Sequence, residues 1–217
     1  MPADVCILYF DLGTHARARE LAWMVRHTLP MFAHNFKGYG FEASAELADT
    51  ARARFDGRHH VTIIHAALCN EPPEDGKVKL YKDGSDGLEN SLYRRGFGEY
   101  EVVEAMRFSD WFKAQGFDVS KSICLLRMNI EGAELDVIAD LLKSGLDHCI
   151  DGYFGMWDDL SKIDVHRSEA FRALLKERGI WPFTFNGRDF KVPLRLRCIE
   201  YEVATAVQVG LRRLSKG

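Results

Sequence analysis

Three short clusters of polar residues fall where an extended run gives way to a turn, and each has a chemical use. Asp11-Leu12-Gly13-Thr14-His15 follows the apolar run Val5-Cys6-Ile7-Leu8-Tyr9-Phe10. A glycine there lets the backbone turn sharply and approach a ligand, and the amides opening the next helix favour an anion. Glu42 closes a second extended stretch, Gly38-Tyr39-Gly40-Phe41. Its carboxylate can accept from both hydroxyls of a ribose, as in dinucleotide-binding folds. It suits equally well the start of the helix that Ser44-Ala45-Glu46-Leu47 opens. The third cluster, Asn129-Ile130-Glu131-Gly132-Ala133-Glu134, ends a strand and begins a helix. Asn129, Glu131 and Glu134 crowd polar groups onto one sheet edge, although Glu131 and Glu134 also match the acid preference of a helix's first turn.

Two familiar phosphate-binding patterns are missing. Gly13 is followed by His15 and Arg17, so there is no Gly-x-Gly-x-x-Gly, and Gly-x-x-x-x-Gly-Lys-Ser/Thr does not occur. A ligand with a ribose but no pyrophosphate fits better, and S-adenosylmethionine is one. One amide and few carboxylates at the third cluster are thin for a Mg²⁺ or Ca²⁺ cage, so no metal is expected.

The elements that must carry these clusters read as an α/β alternation. Strands are expected at 5–10, 38–41, 61–66, 122–128 and 149–156. Helical spacing marks Leu21, Met24, Val25 and Thr28, ended by Pro30, and Leu135, Ile138, Ala139 and Leu142, ended by Gly145. A helix through Phe171, Leu174 and Leu175 stops at Gly179. Two last strands fit Trp181 to Phe185 and Arg197 to Val207, and with no helix between them they predict a C-terminal antiparallel hairpin. Residues of about 70–100 read as an irregular hairpin or lid, in which Val78 to Tyr81 pairs with Leu92-Tyr93. The expectation is a single domain over 1–217 with a mostly parallel sheet, right-handed crossovers and helices on both faces. Its ligand lies outside the carboxyl ends of the strands, beside the first.

Composition bounds the alternatives. With 217 residues, 47% apolar and 28% charged, the chain has room for one substantial core. A net charge of −3 supplies no global field for nucleic acid, and Arg52/Arg54 and Arg94/Arg95 read as solvated faces. Five scattered cysteines without Cys-x-x-Cys argue against a disulfide framework or a zinc site. No run is long enough to span a membrane and Met1-Pro2-Ala3-Asp4 does not open a signal peptide, so a cytoplasmic protein is expected.

The third cluster resembles the Lys-x-Asp-x-Glu-Gly-Ala-Glu signature of FkbM-type methyltransferases. In the same order, Phe10-Asp11-Leu12-Gly13-Thr14-His15 is similar to that family's Asp-x-Gly-x-Asn/His motif, and Gly40-Phe41-Glu42-Ala43 to its Phe-Glu-Pro. Ala66-Ala67-Leu68 follows the third strand, and Asn90-Ser91-Leu92 looks like the Ser-Ser-Leu loop. The likeness runs from about Val5 to Leu142. It implies a Rossmann-like, seven-stranded class I methyltransferase fold that O-methylates a hydroxyl of a sugar, glycan or other natural product. S-adenosylmethionine would lie over strands one and two. Asp11, Gly13 and His15 would meet its methionine end, Glu42 its ribose, and the backbone of Ala66 and Ala67 its adenine. Asn129, Glu131 and Glu134 would border the reacting centre, with Glu131 the first candidate base and His65 the second. Arg17 stands where the family has glycine, and its guanidinium could pair with the cofactor's carboxylate. Asn129 stands where the family has aspartate; it can orient a hydroxyl but cannot take its proton. Those two departures keep open a methyltransferase-like binding or scaffold protein without catalysis; a nucleotide-sugar or NAD enzyme is the other rival. Aromatic and acidic residues at Tyr153, Phe154, Trp157, Asp158 and Asp159 could line an acceptor pocket.

Overall fold

Side chains of the first strand part alternately into two apolar layers, which decides the architecture. Ile7 and Tyr9 enter one layer; Leu8, Phe10 and Leu12 enter the other. A strand buried on both faces needs helices on both sides. The computed structural model describes residues 2–82, 90–93, 98–157, 161, 164–185 and 191–216; Arg94, Arg95, Asp158 and Asp159 lie outside them.

In chain order the strands are β1 (Cys6–Leu12), β2 (Phe36–Glu42), β3 (Val61–His65), β4 (Ala67–Leu68), β5 (Lys77–Tyr81), β6 (Tyr100–Met106), β7 (Ser122–Met128), β8 (Ile150–Gly155) and β9 (Phe183–Thr184). The helices are α1 (Arg19–Trp23), α2 (Leu29–Phe32), α3 (Ala45–Arg54), α4 (Phe108–Ala114), α5 (Glu134–Ser144), α6 (Val165–Glu177) and α7 (Val192–Leu214). The central sheet has six strands in the order β3-β2-β1-β7-β8-β9, all parallel. Helices α1, α2, α3 and α7 cover one face, and α4, α5 and α6 the other. Strand order reverses between β1 and β7, so a crevice opens there at the carboxyl ends.

Three expectations need correction. The sheet has six strands among the described residues, not seven. The expected strand at Arg197 to Val207 is part of the 23-residue helix α7, so there is no C-terminal hairpin there. Ile199, Val203 and Val207 recur every four residues, a spacing that both periods allow. The rest decides for helix: Leu196, Ala206 and Gly210 are buried on the same face, while Tyr201 is exposed. The first helical run also continues past Pro30 to Phe32. A π-turn, Met24–Thr28, precedes the proline, and the Leu29 amide donates to the Met24 carbonyl five residues back. This wider turn moves the backbone out of α register where the ring would otherwise clash.

The stretch expected to be irregular contributes β5 to a second sheet, in the order β4-β6-β5. Strand β5 pairs antiparallel with β6, from Lys77 opposite Glu104 to Tyr81 opposite Tyr100, and meets the expected 91–93 segment only at one bridge, Tyr81 to Ser91. No helix among the described residues is long and apolar enough to cross a membrane. All five cysteines are free thiols.

Candidate functional site

Gly13 is the pivot of the crevice. Its φ is +79°, and a Cβ there would lie 1.9 Å from the Asn129 carbonyl oxygen. Only glycine admits both the left-handed turn and this approach between the ends of β1 and β7. The turn is tied across the sheet: the amides of Gly13 and Thr14 donate to the Phe41 carbonyl at 2.9 and 3.0 Å, and the Asn129 amide donates to Leu12 at 2.9 Å. His15, Ala18 and Glu131 also adopt positive φ, at 59°, 41° and 51°. Strained backbone of this kind gathers at functional sites.

Glu42 stands at the tip of β2, buried. Its Oε2 accepts from the His15 amide at 2.7 Å and its Oε1 from the Ser44 amide at 3.0 Å. A carboxylate has about four acceptor positions, and with the Ala43 amide also acting on it at least one is left for a further donor. Burial pushes the carboxyl up from its ordinary value, against the pull of the Ser44 and His15 amides. Both readings of this residue hold together: it satisfies a helix start and a loop amide, and it faces a cleft.

That cleft is narrow, with a cavity volume of about 80 Å³, against roughly 300–1,000 Å³ usual for a small-molecule site. Gly13, His15 and Glu42 form one side, Asn129 and Glu131 another, and Ala66 and Ala67 a third. The segment 90–93 and β5 close it with Asn90, Leu92 and Leu80. Ser91 fastens this cover, its hydroxyl donating to the Glu131 carbonyl at 2.7 Å. The Tyr93 hydroxyl bonds to Asp136 below.

Other expected residues serve the site from behind. Glu134 is 1% exposed and does not line the cleft; its carboxylate accepts from the amides of Ile130 and Gly132, both at 2.9 Å. It shapes the Asn129–Glu131 turn. Asp11 is also buried away from the cleft. Its Oδ1 accepts from Arg127 at 2.8 Å, and the same guanidinium donates to the Gly13 carbonyl at 3.0 Å. The His65 ring lies against the Ala43 carbonyl, Nε2 to oxygen 3.0 Å, outside the cleft wall.

Comparison with protein-family models, curated proteins and solved structures returns no match.

Arg17 lines a neighbouring pocket of about 120 Å³ instead of the cleft, and Gly13, His15 and Asn129 border both. Sequence reasoning gave no role to three residues there: Glu20, Arg127 and Arg195. Arg195 donates to Glu20 at 2.8 Å, and Arg127 approaches the same carboxylate at 4.0 Å. Burial would raise the Glu20 carboxyl, but Arg127 and Arg195 hold it below its ordinary value. An arginine inside an apolar strand was a visible signal for Arg127. Arg195 had none, because its helix was unread. Phe154 is core, the Tyr153 hydroxyl donates to the Asp147 carbonyl, and Trp157 stacks on Phe171 beside a separate cleft. Among the described residues, no three His, Cys, Asp or Glu side chains cluster as a metal site would require.

Proposed function

We propose that this chain is an S-adenosylmethionine-dependent methyltransferase of the FkbM type, acting on a hydroxyl of a sugar, glycan or other natural product. The observation that carries the reading is Glu42: a buried carboxylate with acceptor capacity to spare, facing a cleft beside the glycine turn after β1. A ribose diol is the ligand group that such a carboxylate matches best. The small side chains of Ala43, Ala66 and Ala67 beside it leave room for a flat base. Gly13 allows close backbone approach at the other end.

The residues present therefore fit this cofactor: Glu42 for the ribose, Ala66 and Ala67 for the adenine, Gly13 and His15 toward the methionine end. Bound there, it would supply an electrophilic methyl to the acceptor oxygen, whose hydroxyl proton must leave. Asn129 orients the acceptor hydroxyl, and Glu131, which borders the same cleft, takes the proton. Holding the oxygen in line can supply much of the rate, since positioning alone can lower a barrier by up to ~7–11 kcal/mol.

Calorimetry with S-adenosylmethionine and S-adenosylhomocysteine tests the reading, and both should bind. Each hydrogen bond to a charged carboxylate is worth ~1.5–3 kcal/mol, at ~1.4 kcal/mol per tenfold in affinity. Glu42→Ala should therefore weaken S-adenosylhomocysteine by roughly ten to several hundred fold, in a variant whose circular dichroism is unchanged. Wild-type affinity in that variant would remove Glu42 from the site. EDTA should leave binding intact; loss that Mg²⁺ restores would overturn the metal-free account.

A further inference from the structure

We infer that residues 90–93 are an autoinhibitory cover: Leu92 occupies the wall assigned to the adenine, and a clasp on Tyr93 holds it there until the cofactor displaces it. The inference rests on the cofactor reading and extends it to the regulation of the same site.

The cleft as it stands is too small for its proposed occupant. A cavity of about 80 Å³ has room for a handful of waters, at roughly 10–15 Å³ each, and not for a nucleoside. Leu80, Asn90 and Leu92 close it. Leu92 packs against the cluster of Ala67, Leu80 and Val103, so it covers apolar surface that the adenine needs at Ala67. Strand β5, which carries Leu80, is paired with β6 along its whole length. Residues 90–93 join that sheet, among the described residues, at one bridge, between Tyr81 and Ser91. Of the two, the cover is the part that yields.

Side chains fasten the cover to the central domain. The Ser91 hydroxyl donates to the Glu131 carbonyl at 2.7 Å and accepts from the Tyr93 amide at 3.0 Å. Tyr93 is gripped at two points. Its hydroxyl donates to Asp136 on α5, and the Arg167 guanidinium of α6 lies over its ring, 5.0 Å from the centroid. Arg167 and Asp136 are themselves paired at 3.3 Å. The three side chains thus form one clasp, anchored on two helices that pack on the central sheet. None of the three lines the cleft, so the clasp can be weakened without altering a residue that meets the cofactor.

The test is calorimetry of the full chain with S-adenosylhomocysteine, beside the variants Tyr93→Phe, which removes only the hydroxyl, and Asp136→Ala, which removes its acceptor. When the open state alone binds, the apparent Kd is the intrinsic value divided by the open fraction. Breaking the clasp raises that fraction, so each variant should bind S-adenosylhomocysteine at least about threefold tighter than the wild type. Binding by the variants with none by the wild type is the same result in its extreme form. A cover that instead closes over the bound cofactor predicts the opposite sign. Unchanged or weaker binding in either variant, with the circular dichroism of the wild type, overturns the inference and leaves the cofactor reading standing. A variant whose circular dichroism changes is replaced by the other, which then decides. If neither the wild type nor the variants bind S-adenosylhomocysteine, both readings fall.

Discussion

Glu42 works only as a carboxylate, and burial makes that state harder to keep. Protonation removes acceptor positions that the His15 amide and a ribose both need. Affinity for S-adenosylhomocysteine should therefore fall as pH falls, beginning above the ordinary glutamate value of 4.5. Fold stability responds to this group in the opposite sense. A raised carboxyl penalises the charged folded state, and the penalty is relieved as pH falls through the raised value. Calorimetry between about pH 7.5 and pH 5, beside melting curves at each pH, should show affinity dropping before the fold weakens. Arg127 is a second test at this scale. Arg127→Met strands Asp11 in the core and should cost about 3–5 kcal/mol in urea unfolding, while the Asp11→Leu/Arg127→Met pair should recover much of that. The sequence made Asp11, Gly13, Glu42 and the Asn129–Glu134 cluster legible because polar residues interrupt apolar strands there. It could not tell Glu131, which lines the cleft, from Glu134, which braces a loop. Both are acids at one helix start, and only the positive φ of Glu131 and the amides around Glu134 separate them.

Periodicity made most elements legible, and failed where two periods coincide. Strands β1, β3 and β7 are mostly apolar runs, legible to within a residue or two. Helix α7 was read as a strand because its β-branched residues recur every four positions, which is also a multiple of two. Strand β6 was missed because only Val103 among its seven residues is buried. Packing of α7 is close: a Cβ on Gly152 would lie 2.4 Å from the Ala206 Cβ, so helix and sheet meet there without a side chain between them. Gly152→Ala should force α7 outward and destabilise by about 1–3 kcal/mol in thermal or urea melts. Helix α4 has a cap that no local pattern could reveal. Asp140, on α5, accepts from the Ser109 amide at 2.7 Å and the Ser109 hydroxyl at 2.6 Å. Asp140→Ala leaves both donors buried and should cost about 2–3 kcal/mol by the same measurement.

At the scale of the whole molecule, the parallel order and the switch between β1 and β7 followed from strand–helix alternation alone, and with them the place of the crevice. Contacts between distant segments were out of reach, and the arginine pocket is the main case. Its wall is made by the turn after β1 and by a residue of α7, joined through Glu20 and Arg195. That ion pair is a cross-link between two segments some 175 residues apart in the chain. Breaking it should loosen the segments it joins and leave the rest, wherever the opening is sub-global. Amide hydrogen exchange in Glu20→Gln should therefore quicken in α1 and α7, while α3 and α6, which do not border the pair, keep their wild-type rates.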